Sequence, residues 1–279
     1  MKRDESRTGA GENERRKKEM ETFAGVKTSM KRKQSIGIIA LIAAFFAMWG
    51  VQAKVSLAAQ GRAARGATGE IRGKVEYEGA RPKQREIYMN KDPECLRENQ
   101  GRTVYVQDGA VNGNGTLPNV FVYAKTGGSG QYAVPRKPAA LDQQGCIFVP
   151  HVLGIMVGQT LKVLNSDFTM HNVHVHSKIN PQWNESQQPG GAAIYKKFAH
   201  PEIMIPVSCN EHPWMKAYIG VVSNPYYGVT GTTGRYTIKG VPAGEYTIEA
   251  WTAPFGTQEK TVRVRPHATT TLNFTFQQR

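Results

Sequence analysis

The chain has 279 residues and a mass of 30.8 kDa, enough for two ordinary domains, and its hydrophobic content of 39% can build cores and excludes global disorder. Three cysteines are too few for a disulfide scaffold, and 29 glycines with 15 prolines fall short of a low-complexity chain. The formal charge of +14 is partly concentrated in residues 1–35, with 11 Lys+Arg against 6 Asp+Glu; beyond them charges are scattered without a basic stripe, so nucleic acid is not expected as a partner.

Residues 36–53 form an uncharged run of 18, Ile36 to Ala53, preceded by Met30-Lys-Arg-Lys33 and closed by Val51-Gln52-Ala53. A basic start, an apolar centre and a small-residue exit make a secretory signal. Two readings stand. If translation starts at Met30, the segment is a cleaved signal peptide and the mature chain begins near Lys54. If it starts at Met1, residues 1–53 are a basic cytoplasmic tail and an anchor, with membrane association through residues 36–53. Both export residues 54–279, to the periplasm or another extracytoplasmic space.

After Ala59 the periodicity is that of strands. Ile71, Gly73, Val75 and Tyr77 alternate with polar residues, as do Tyr236 and Ile238, Tyr246, Ile248 and Ala250, Val262 and Val264, and Leu272, Phe274 and Phe276. Turn clusters separate them, among them Asn112-Gly-Asn-Gly115, Gly127-Gly-Ser-Gly130 and Gly231-Thr-Thr-Gly234. An all-β chain of sandwiches is predicted, preceded by one apolar helix over the 36–53 run.

The run from Gly231 to Phe276, which opens with Gly231-TTGRYTIKGVPAGEYTIEAW, resembles the carboxypeptidase regulatory-like domain, a small transthyretin-like β-sandwich. The first strands of that family resemble Gly73-KVEYEGARP82 and Asn119-VFVY123, which lie far upstream. The resemblance implies a split sandwich, residues 69–130 and 226–279, with a second domain inserted at 145–224; two consecutive domains are the alternative.

The chemistry lies in the inserted stretch. Cys209-Asn-Glu-His212-Pro-Trp-Met215 places a thiolate, an imidazole and a thioether at Cys-x2-His-x2-Met, and His171 in Met170-His-Asn-Val-His174 offers a second imidazole. Two His, one Cys and a weak Met are the ligand set of blue copper. Cys, His and His also suit zinc, but the soft thioether favours copper. Gly158-Gln-Thr-Leu-Lys-Val-Leu-Asn165, His171-Asn-Val-His174 and Cys209-x2-His212-Pro-Trp-Met215 together resemble the cupredoxins of the amicyanin and plastocyanin type, a Greek-key β-sandwich. That resemblance implies one copper ion cycling between Cu(I) and Cu(II), held by His171, Cys209, His212 and Met215. It implies Asn172 as a hydrogen-bonding tie between the two ligand segments, and electron exchange through an exposed edge of His212. His174 and His176 read as core or surface histidines, His151 and His200 as open cases, and Trp214 as packing against the site.

With Cys209 assigned to copper, Cys95 and Cys146 are left to pair in an oxidising compartment, or to stand as separate buried thiols. No Gly-x-Ser-x-Gly, His-Glu-x-x-His or phosphate loop is present, so no enzyme activity is expected. The expected function is an exported mononuclear copper protein carrying single electrons between redox protein partners. The alternatives are copper storage or delivery, and a non-redox binding or adhesion module with a structural metal.

Overall fold

The computed structural model describes residues 67–278. The basic tail, the apolar run 36–53 with its predicted helix, and both candidate start sites lie outside the described residues. Among the described residues, strands β1 to β17 and one helix are numbered in chain order, and no helix is long and apolar enough to cross a membrane. The fold is all-β, as the alternation predicts.

The first sandwich has two sheets. In one, β1 (Thr68–Glu78) pairs antiparallel with β13 (Arg235–Pro242) and parallel with β16 (Thr269–Thr271) and β17 (Phe274–Gln277). In the other the order is β12 (Tyr227–Val229), β2 (Phe121–Thr126), β14 (Gly244–Thr252) and β15 (Gly256–Val264), all antiparallel. The alternating residues meet between them: Ile71 and Val75, Val122 and Ala124, Tyr236 and Ile238, Ile248, Val264, Phe274 and Phe276 share one core. Strands from both ends of the sequence therefore close the same sandwich, because each buries only one apolar face and needs the other as its cover.

The second sandwich lies between them in sequence. One sheet runs β5 (Val152–Met156), β11 (Lys216–Val222), β10 (Glu202–Ser208), β7 (His171–Val175), β8 (Trp183–Gln187). The other runs β4 (Phe148–Val149), β3 (Ala139–Gln143), β6 (Thr160–Asn165), β9 (Ile194–Lys197). Leu141, Phe148, Leu161, Val163, Val173, Val175, Ile205, Val207, Ile219 and Val221 fill the space between.

Strand β2 breaks the alternation rule, since Phe121, Val122, Tyr123 and Ala124 are all buried. Its outward residues Phe121 and Tyr123 pack on Val152, Met156, Met204 and Val222 of the second sandwich. Gly154 and Gly220, paired across β5 and β11, make room for this. A Cβ on Gly220 would fall 2.6 Å from the Phe121 ring and 2.5 Å from Met204, and one on Gly154 would fall 2.3 Å from the Tyr227 ring.

One boundary is redrawn. The sequence predicts residues 86–105 within the split sandwich, yet Met89 and Cys95 are buried in the second core. The segment leaves the first sandwich on paired arms, Ile87 N–H donating to the Val104 carbonyl and Val106 N–H to that of Arg85, 2.8 and 2.9 Å. At its tip is helix α1 (Pro93–Glu98), capped by Asp92, whose carboxylate accepts from the Glu94 amide at 2.8 Å. Cys95 of α1 is joined to Cys146.

Candidate metal centre

His171 opens β7, and Cys209 to Met215 form the loop between β10 and β11. The loop is folded back on itself: Cys209 N–H donates to the Met215 carbonyl (3.3 Å) and Met215 N–H to that of His212 (2.8 Å). This brings His171, Cys209 and His212 together as a group able to hold a metal ion, their donor atoms all within 4.8 Å of one another. The Nδ1 atoms of the two rings face each other at 3.0 Å, and Cys209 Sγ lies 3.7 Å from His212 Nδ1. All three residues are buried, with exposures of 0, 3 and 5%. Met215, from the same loop, is wholly buried in the second core.

Asn172 ties the two ligand segments together. Its side-chain oxygen accepts from the Asn210 amide at 2.6 Å and lies 3.3 Å from Cys209 Sγ, while its own amide donates to Sγ at 3.5 Å. Burial alone would push the Cys209 thiol up, but hydrogen bonds from His171, His212 and the Asn172 amide outweigh it and bring it down to about 6. Burial likewise opposes charge on His171, but Asp167 and Cys209 prevail and raise it to about 9. The metal-free pocket therefore favours a thiolate beside a protonated imidazole.

Two carboxylates that sequence reasoning missed complete the site. His171 Nε2 donates to Asp167 Oδ2 and His212 Nε2 to Asp92 Oδ2, each at 2.9 Å. With each outer nitrogen carrying the proton, both Nδ1 lone pairs point inward at each other and at a thiolate, an arrangement that only a cation or a proton can satisfy. The donor set thus fits a soft or borderline metal ion held by sulfur and imidazole nitrogen. Nothing in the sequence says that the Asp92 carboxylate reaches an imidazole.

The exposed edge expected of His212 is absent. Its Nε2 is taken by Asp92 and lies 3.7 Å from Cys95 Sγ, under the 86–105 segment. Trp214 is half-buried beside it, ring centroids 5.1 Å apart, its indole N–H donating to the Cys146 carbonyl at 3.0 Å. The other histidines are not in the donor group. His174 and His176 stack at 3.9 Å and face Asn210 and Ser208. His151 is held between the Lys216 carbonyl and Asp108. His200 is exposed.

Residues 212–277 match the model of the carboxypeptidase regulatory-like domain. Among solved structures, the chain is similar to a copper-containing nitrite reductase from Thermus scotoductus SA-01, with 26% identity and a TM-score of 0.29 over 34% of this chain and 24% of that one. This chain thus spans about a quarter of that relative's length. A purple cupredoxin from Nitrosopumilus maritimus is matched at 20% identity and a TM-score of 0.26, over 30% of this chain and 99% of that one. A mutant of amicyanin in its Cu(I) form is matched at 16% identity and a TM-score of 0.28, over 36% and 98%. No curated protein matches the chain in sequence.

Proposed function

We propose that this chain is an exported mononuclear copper protein that passes single electrons between redox protein partners and performs no catalysis of its own. The observation that carries the reading is the buried group of His171 Nδ1, Cys209 Sγ and His212 Nδ1, whose outer nitrogens are both held by carboxylates. These three atoms would hold one copper ion, with Met215 as a weak fourth donor whose soft thioether suits copper better than zinc. Copper bound there supplies a one-electron Cu(I)/Cu(II) couple.

The residues contribute rigidity. Asn172 locks the His171 strand to the Cys209 loop, and β7, β10 and β11 are neighbours in one sheet, so the donors keep their places whichever charge the ion carries. A fixed site keeps reorganisation small, which suits electron transfer better than metal delivery. Burial of all three donors argues the same way, since release of the ion would require the covering segment to move. With His212 covered, we assign electron exchange to the half-buried Trp214 ring beside it. The disulfide between Cys95 and Cys146 supports an oxidising, extracytoplasmic location, and the 36–53 run is the segment that would export or anchor the chain.

The test is visible absorption after copper addition. An intense band that is lost in Cys209→Ser supports the assignment, because the colour comes from thiolate-to-copper charge transfer. A band that persists in that variant overturns it.

A further inference from the structure

Each half of the disulfide is tied to one of the carboxylates that hold the imidazoles, Cys95 through the helix that Asp92 caps and Cys146 through its amide bonded to Asp167. Asp92 caps α1, the helix of Cys95; its Oδ1 accepts from the Glu94 amide and its Oδ2 from His212 Nε2 and the Thr169 hydroxyl, the last at 3.0 Å. Asp167 is fully buried; its Oδ2 accepts from the Cys146 amide at 2.8 Å and from His171 Nε2, and its Oδ1 from the Gly145 amide at 2.6 Å. Asp167 and Thr169 share one short loop, braced by Asn165 Nδ2 donating to the Thr169 carbonyl at 2.9 Å. The Cys95–Cys146 bridge, that loop and the two carboxylates therefore form one bracket across the outer nitrogens of both rings.

From this bracket we infer that Asp92 and Asp167 are positioning residues that fix both rings as Nε2–H tautomers and, by placing two fixed negative charges behind the donors, make the centre prefer a divalent over a monovalent ion. The inference deepens the copper reading and rests on it. Coulomb attraction to the carboxylates is twice as large for a dication as for a monocation at the same place, so the charges stabilise Cu(II) more than Cu(I) and bias the carrier toward giving up its electron. The carboxylates act through the imidazoles and touch no ion themselves. Asn at either position removes the charge and keeps one oxygen acceptor for the ring N–H, while its NH2 replaces the oxygen that accepts from the Glu94 amide at Asp92 or the Gly145 amide at Asp167.

The experiment compares the intact protein with Asp92→Asn, Asp167→Asn and Glu98→Gln. Glu98 belongs to the same bracket, accepting from the Phe168 amide at 2.9 Å, but touches neither ring. The ratio of Zn(II) to Cu(I) affinity is expected to fall about tenfold in each Asn variant and to stay unchanged in Glu98→Gln. In the metal-free intact protein above about pH 9, where His171 is neutral, nitrogen-15 NMR of the histidines is expected to show the proton on Nε2 and none on Nδ1 in both rings. An unchanged affinity ratio in a folded Asn variant overturns the inference, and so does a bare Nε2 on either ring. The NMR measurement needs no variant to fold. If the intact protein binds no copper, the copper reading falls, and the ring tautomers alone decide the positioning roles.

Discussion

Sγ of Cys95 lies 3.7 Å from Nε2 of His212, so a disulfide covers the outer edge of a candidate metal ligand. The bridge spans a sequence separation of 51 and restrains the whole 86–105 segment over the site. Replacing both half-cystines by Ala is expected to cost roughly 4 kcal/mol through the entropy returned to the unfolded chain. It is also expected to uncover His212. Denaturant unfolding measures the first effect. Acylation of histidine by diethylpyrocarbonate, read by mass spectrometry, measures the second: His212 modified in the double variant and protected in the intact protein. Equal protection in both would mean that the segment stays in place without its bridge.

Met215 is buried on the ligand loop, its amide bonded to the His212 carbonyl. As a weak thioether donor it would favour Cu(I). In the copper-loaded protein, Met215→Gln is expected to keep the metal and lower the reduction potential, because the harder amide oxygen favours Cu(II). Protein-film voltammetry reads the shift. An unchanged potential would make Met215 a packing residue only.

Acid sensitivity is expected from Glu202, a nearly buried carboxylate at the start of β10. It accepts from the amides of Lys178, Ile179 and Asn180 at 2.6, 3.2 and 3.0 Å, from Asn180 Nδ2 at 3.0 Å and from the Ser177 hydroxyl. Burial opposes the charge, but the donors prevail and hold the group at about 2 against an ordinary 4.5. Its folded value lies below its unfolded one, so the stabilisation is complete above about pH 4.5 and is lost as the pH falls toward 2. The amount at stake is roughly 3 kcal/mol. Glu202→Gln should lower stability at neutral pH and flatten its decline between these limits, as followed by urea titrations at a series of pH values.

The junction of the two sandwiches depends on an absent side chain. Gly220→Ala puts a methyl group 2.6 Å from the Phe121 ring, and overpacking of this kind costs about 1–3 kcal/mol. Phe121→Leu shortens the intruding side chain and should recover part of that loss. A double-mutant cycle by thermal or denaturant unfolding is expected to be clearly non-additive. Additive losses would show that the ring and the glycine do not meet.

Strand faces and the candidate donor groups were legible in the residues alone. Period-2 alternation is enforced by the pleat, so Ile71, Val75, Ile248 and Phe274 could be assigned to a core without coordinates. Cys209 and His212 are three residues apart in a tight loop, and that local geometry makes them neighbours in almost any arrangement of the sheets. Other features depend on contacts between distant segments and came only with the folded chain. The reach of Asp92 to an imidazole and the transfer of residues 86–105 from one sandwich to cover the other both join parts of the chain that no local pattern links, whereas the meeting of His171 with His212 was expected from the family resemblance. The expected open edge of His212 failed for the same reason. A side chain's exposure is set by whatever the rest of the chain places over it, here a capped helix held down by a disulfide, and not by its own position in a loop.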